Sequence, residues 1–231
     1  EILQSDIVAL RELIWTGRVT SEQVLKFYFS RARTVGRELG AAVEANFEQA
    51  LKLAKAADAK IKTTDRVQLP PLTGIPFSVK ENFLMEGMKI THGLEPRLGS
   101  DECICKETCP LIQHLISQGA IPFVRSNVPQ LLMAAETDNP VYGACLNPHN
   151  KNRVCGGSSG GEGSLVGSGC SPWGIGNDIG GSVRIPSLMC GVFGFKPSTG
   201  RMDDSGQLSP IHVSFNKYLY QDYIKVVNGP I

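Results

Sequence analysis

The run CGGSSGGEGSLVGSG, Cys155 to Gly169, decides how this chain is read. Eleven of its fifteen residues are glycine or serine. Flexible linkers have such a composition, and so does backbone that must come close to a ligand. A linker lacks apolar residues and leads into a new domain. Here Leu165 and Val166 lie inside the run, and a second glycine cluster, GIGNDIGGSVRIP (Gly174 to Pro186), follows at once. The run is read as a loop that approaches a ligand.

The sequence upstream has an α/β rhythm. In TSEQVLKFYFSRA, Thr20 can cap a helix, Gln23 holds the capping-box position, and Val24, Phe27, Tyr28 and Ala32 recur at helical spacing. AAVEANFEQALKLAKAADAKI, Ala41 to Ile61, is expected as a second, alanine-rich helix. QLPPLTG breaks that pattern, and IPFSVKENF (Ile75 to Phe83) has the apolar density of a short buried strand ending in a charged pair. CPLIQHLISQGA (Cys109 to Ala120) reads as a helix stopped by Gly119, and IPFVRSN (Ile121 to Asn127) as the next strand. Helix followed by strand, repeated, argues for an α/β layer fold. Beyond Gly200, apolar density returns only in YLYQDYIKVVN, which is expected as one further strand.

Composition narrows the function classes. The chain has 231 residues, 42% of them hydrophobic, enough for the core of an ordinary domain. Its net charge of +1, from 23 basic and 22 acidic residues, argues against a nucleic-acid partner. No apolar run is long enough to span a membrane. Because the chain opens at Glu1, attachment to a membrane or a complex through other segments stays open, and so does localisation. Seven cysteines without a short secreted framework point to reduced thiols in an intracellular setting. Cys103, Cys105 and Cys109 lack a second knuckle or nearby histidine, so no metal is expected.

Several chemistries compete for the glycine clusters. A Walker loop needs a lysine after its last glycine, and none is present. A dinucleotide fingerprint fails because Gly167 falls one place late after Gly161 and Gly163. GSSGG, Gly157 to Gly161, fits a nucleophile elbow centred on Ser159, but only His212 follows it, beside Asp203 and Asp204. His92, His114 and His149 all precede the serine and read as surface or structural residues. A serine without histidine needs another base, and a lysine desolvated at the end of an apolar strand, such as Lys80, can serve.

Lys80 in PFSVKEN, Ser158 in GGSSGG and Ser182 in GNDIGGSVRIPS together resemble the amidase signature family. The likeness extends through ALRELIWTGRVTSEQVLKFY, LTGIPFSVKENF, GAIPFVRSNVPQ and CGVFGFKPSTGR, nearly the whole chain. GGSSGGEGSL with DIGGSVRIP looks more like fatty-acid amide hydrolases and fungal acetamidases than tRNA-dependent amidotransferase subunits. Those subunits more often carry a small residue at Glu162 and threonine at Ile179.

The resemblance implies a central mixed β-sheet flanked by helices, here incomplete, in one domain with a helical region over 1–66 and a catalytic core over 67–231. It implies a cofactor-free serine amidohydrolase acting on a small-molecule amide. Ser182 is the nucleophile, Ser158 the bridging serine after a cis bond from Gly157, and Lys80 the ultimate base. Ile179, Gly180, Gly181 and Ser182 supply the backbone donors of an oxyanion hole, with Ser182 opening a helix. Asp178 and Arg184 form a bracing ion pair, and Ser159 supports the loop. Two other functions fit the same motifs: a glutaminase subunit of a transamidating enzyme, or a non-catalytic amidase-fold subunit. Asn177 departs from the family's usual threonine or serine, and the chain is about half the family domain. A C-terminal half or another protein is therefore expected to cover its surface.

Overall fold

The computed structural model describes residues 1–198, 200–203 and 205–207, together with the backbone of 222–227. Two helices open the chain, α1 (Ile7–Trp15) and α2 (Ser21–Arg31). Thr20 caps α2 through Gln23 N–H, and the Gln23 side chain accepts from Thr20 N–H, so the capping box forms as expected. Val24, Leu25 and Tyr28 turn inward from α2.

The alanine-rich stretch does not form a single helix. Ala42–Ala45 is strand β1, and α3 starts only at Phe47, running to Thr63. Asn46 separates the two by accepting from Gln49 N–H. Alanine favours helix locally, but pairing of β1 with a neighbouring strand outweighs a propensity worth tenths of a kcal/mol per residue.

The rest follows as β2 (Pro76–Lys80), α4 (Glu95–Leu98), α5 (Pro110–Ser117), β3 (Ile121–Ser126), α6 (Gly160–Gly167), β4 (Trp173–Asp178), α7 (Arg184–Met189), β5 (Phe193–Phe195) and β6 (Asp222–Val227). The sheet order is β1-β3-β2-β4-β6-β5. Strands β3, β2 and β4 run parallel, while β1, β6 and β5 join antiparallel. The sheet is therefore mixed, as the resemblance implied. The late strand forms within the expected segment, but it lies inside the sheet; the free edge on that side is β5. Leu188, Phe193 and Phe195 stand 84%, 64% and 65% exposed there.

Every residue of β2, β3 and β4 is buried, which fits strands covered on both faces. Phe77 on β2 stacks on Trp173 of β4 at 4.7 Å and joins the core with Leu10, Ile14, Ile75 and Val79. Ser78 and Lys80, alternating with Phe77 and Val79, face the other way, toward α6.

The opening run is a helix over much of its length, not a loop. Its glycines serve close packing: a Cβ on Gly161 would lie 2.9 Å from Ser126 Cβ, and one on Gly163 would lie 3.1 Å from Pro186 Cβ. The same device explains β4, a strand the glycine-rich sequence concealed. A Cβ on Gly176 would stand 2.6 Å from Ser159 Oγ, and one on Gly174 would run into the Glu162 carboxyl. Arg31, from α2, closes the far end of α6 by donating to the carbonyls of Gly169 (2.7 Å) and Ser168 (2.6 Å). All seven cysteines are buried free thiols. No described helix is long and apolar enough to cross a membrane.

Candidate active site

The parallel strands β3, β2 and β4 end together, and the polar cluster forms at those carboxyl ends. Lys80, the last residue of β2, is fully buried. Its Nζ donates to Ser158 Oγ at 2.7 Å and to Asn177 Oδ1, at the end of β4, at 2.6 Å. Burial lowers the pKa of Lys80 to about 7, against the opposing pull of Glu162, Asp178 and Glu81. A lysine with that pKa is substantially neutral near pH 7 and can take a proton.

Ser158 is delivered to Lys80 by the turn before α6. The Gly157–Ser158 peptide bond is cis. A Cβ on Gly157 would lie 2.5 Å from the Glu136 carbonyl oxygen and 2.6 Å from that of Ala134, so only glycine fits there. Ser159 is buried at the start of α6; its N–H donates to the Ser182 carbonyl at 2.9 Å and its Oγ to the Asn177 carbonyl at 3.4 Å. These bonds tie the two glycine clusters together. No hydrogen bond joins the Ser158 and Ser182 hydroxyls in this structure.

Ser182 lies on the loop between β4 and α7 and is half-buried, with Ile179 and Gly180 exposed beside it. The helix starts at Arg184, so Ser182 precedes it by two residues and does not open it. Asp178 organises the loop from beneath. Its carboxylate accepts the N–H groups of Gly181 (2.7 Å), Val183 (3.1 Å) and Arg184 (3.3 Å), and the Arg184 guanidinium at 2.9 and 3.0 Å. Burial opposes ionisation of Asp178, but these donors outweigh it and hold its pKa at about 2. Gly181 N–H is thus committed to Asp178, and its φ of +131° is a conformation that favours glycine. The N–H groups of Ile179, Gly180 and Ser182 remain without partners among the described residues.

Among the described residues, no imidazole lies beside Ser159, the centre of the elbow reading. His92 contacts Arg97 at 3.2 Å, His149 lies 2.8 Å from the Cys190 carbonyl, and His114 is exposed. His212 and Asp204 lie outside the described residues.

Ser78 and Glu162 escaped the sequence reading of the site, and Asn177 entered it only as a departure from the family's usual threonine or serine. Asn177 holds Lys80 and donates from Nδ2 to Gln207 Oε1 at 2.6 Å, so the departure from threonine or serine supplies a hydrogen bond. Glu162 on α6 is fully buried and accepts from Ser78 Oγ at 2.5 Å. The available signals were slight: a single carboxylate in a glycine-serine run, and a serine two places before the lysine, hence on its side of the strand.

Comparison with known proteins places the fold. Among solved structures, a fatty acid amide hydrolase superposes with a TM-score of 0.89 at 29% identity, over 99% of this chain and 39% of that one. The fold is that of amidase-signature enzymes. The Amidase family matches residues 23–218, and the chain belongs to that family. Fatty-acid amide hydrolase 2-B of Danio rerio is 40% identical over 223 residues, 94% of this chain and 42% of the relative. Amidase 1 of Gibberella moniliformis is 38% identical over 200 residues, 87% of this chain and 38% of the relative. The chain thus spans about two fifths of the length of these curated relatives.

Proposed function

We propose that this chain carries the reacting residues of a serine amidohydrolase cleaving a carboxylic amide, a fatty-acid amide or a similar compound, through an acyl-enzyme. The observation that carries this reading is the buried hydrogen bond from Lys80 Nζ to Ser158 Oγ. Neutral Lys80 takes the Ser158 proton while Ser158 takes that of Ser182, and Ser182 Oγ bonds to the amide carbon. The carbonyl π pair moves to oxygen, where the N–H groups of Ile179, Gly180 and Ser182 receive it. Collapse breaks the C–N bond as the relay runs backward and protonates the leaving amine. Water then releases the acid by the same route. The Ser158–Ser182 hydrogen bond of this relay closes with substrate bound, since catalytic hydrogen bonds in unliganded enzymes are often long.

The apolar face formed by Leu188, Met189, Phe193 and Phe195 adjoins the nucleophile loop and is exposed. In the working enzyme we take it to be covered by further polypeptide, either more of the same domain or another protein. The test of the chemistry asks only for an activated serine. Incubation with a fluorophosphonate probe should modify Ser182, and Ser182→Ala should abolish the label with the fold intact. Label that persists in Ser182→Ala and vanishes in Ser159→Ala would move the nucleophile to the elbow position.

A further inference from the structure

Glu162 is a buried carboxyl that the relay above does not use. It projects from α6 into the space left by Gly174 and meets β2 from the Ser78 and Lys80 side. Ser78 Oγ donates to its Oε2 at 2.5 Å. Ser126 on β3 also favours the charged form, but neither Ser126 Oγ nor Glu162 Oε1 has a partner with hydrogen-bond geometry. No ion pair within 4 Å includes Glu162 among the described residues. A carboxylate so poorly compensated is expensive to bury, and a merely space-filling role would be met as well by an uncharged side chain.

The other acids near Lys80 are differently placed. Asp178, on β4, is neutralised by Arg184 and three N–H groups. Glu81, the residue after β2, accepts from Thr91 N–H, from Thr91 Oγ1 at 2.9 Å, and from His92 N–H at 3.2 Å. Arg125, on β3, spends its guanidinium on the carbonyls of Lys89 and Phe83, both at 2.9 Å. Glu162 is therefore the acid near Lys80 whose carboxylate has neither a cation in contact nor a backbone donor among the described residues.

Resting on the reading of Lys80 as base, we propose that Glu162 is a positioning residue for the proton state of that lysine. Its buried carboxyl, held by Ser78 on the side of β2 that carries Lys80, sets the pH at which the lysine becomes neutral, and with it the acid limit of amide cleavage. Burial raises Glu162 to about 7, with Ser126, Ser78 and Lys80 opposing the rise, so lysine and carboxyl change charge over one pH range. When Glu162 is ionised, its field keeps the proton on Lys80. Taking that charge away releases the proton at lower pH. The sign is fixed: a neutral residue at 162 extends activity toward acid.

The test is an NMR titration of Lys80 in the full chain carrying lysine labelled with 13C at Cε, its signal assigned by its loss in Lys80→Met. The midpoint is expected near the about 7 set by burial. In Glu162→Gln, which keeps the shape and an acceptor for Ser78, it should fall by about one pH unit, and Glu162→Asp should restore much of the shift. Ser78→Ala, which weakens ionisation of Glu162, should move the midpoint the same way by less. The pH limb of fluorophosphonate labelling at Ser182 should move in parallel. An unmoved Lys80 midpoint in folded Glu162→Gln overturns the proposal, and Ser78→Ala decides the matter if Glu162→Gln does not fold. A midpoint that moves while the labelling limb stays fixed removes Lys80 as base, and the catalytic consequence drawn here falls with it.

Discussion

The Arg184 guanidinium holds the Asp178 carboxylate through two hydrogen bonds, although the Arg184 side chain is 53% exposed and that of Asp178 is fully buried. An exposed arm thus steadies a buried acid that in turn organises three backbone N–H groups of the loop carrying Ser182. Because the folded pKa of Asp178 is depressed, its contribution is fully present above the ordinary carboxylate value and is lost as pH falls through about 2. Arg184→Ala should raise the pH midpoint of acid unfolding, followed by tryptophan fluorescence. At neutral pH the loss should be no more than about 1 kcal/mol, since the arginine is half in solvent. An unchanged acid midpoint would show the pair to be idle.

Asn177 offers a sign test of the Lys80 environment. Its Oδ1 is 2.6 Å from Nζ, so Asn177→Asp sets a negative charge directly on the lysine. The neutral form should then appear only at higher pH, moving the acid limb of probe labelling upward by one unit or more, about the effect of an adjacent opposite charge. Movement toward acid would contradict the lysine-base scheme.

Lys80→Ala removes the base of the proposed relay. Amide turnover should fall by roughly 10²–10⁴-fold, the usual worth of a positioned acid–base group, and the rise in rate through about pH 7 should flatten. A mutant profile that keeps the same rise would assign it to another group.

Gly176→Ala probes the spacing of α6 against β4. The new Cβ would stand 2.6 Å from Ser159 Oγ and 2.8 Å from a Val183 methyl, so the helix or the loop carrying Ser182 has to shift. The expected cost is about 1–3 kcal/mol, typical of overpacking, read from the urea midpoint. A neutral substitution would mean the contact relaxes freely.

The exposed face makes a prediction for the chain expressed by itself. With Leu188, Phe193 and Phe195 uncovered, residues 1–231 should bind an apolar-surface dye, associate in solution and turn over amides poorly. A monomeric, dye-silent and active product would refute the idea that further polypeptide covers this face.

Much of the architecture was legible wherever one local rule acted alone. The Thr20–Gln23 capping box, the buried β2 and β3 strands and the Gly119 stop all announce themselves in a few adjacent residues. The errors fell where tertiary contact overrode local preference. β1 hid in alanine-rich sequence because its reason to be extended is β3, some eighty positions away. α6 and β4 hid because their glycines, which read as loop, are points of close packing: those of β4 admit Ser159 and Glu162, and those of α6 admit Ser126, Asn127 and Pro186. Lys80 and Ser158, which the motif pattern pairs, do meet in the structure, whereas the engagement of Gly181 N–H by Asp178 is a property of geometry alone.

The clasp of Arg31 on the carbonyls of Ser168 and Gly169 has a kinetic side. It joins positions 138 and 137 residues apart, and α6, rich in glycine, has little helical propensity of its own. During synthesis at about 5–20 residues per second, Arg31 would leave the ribosome on the order of ten seconds before the carbonyls it closes. Throughout that interval Phe77 on β2 lacks Trp173, the ring it stacks on, and β2 lacks its sheet neighbour β4. The nascent N-terminal portion is then a natural client for chaperones that bind apolar segments, and the polar cluster around Lys80 is among the last parts of the chain to assemble.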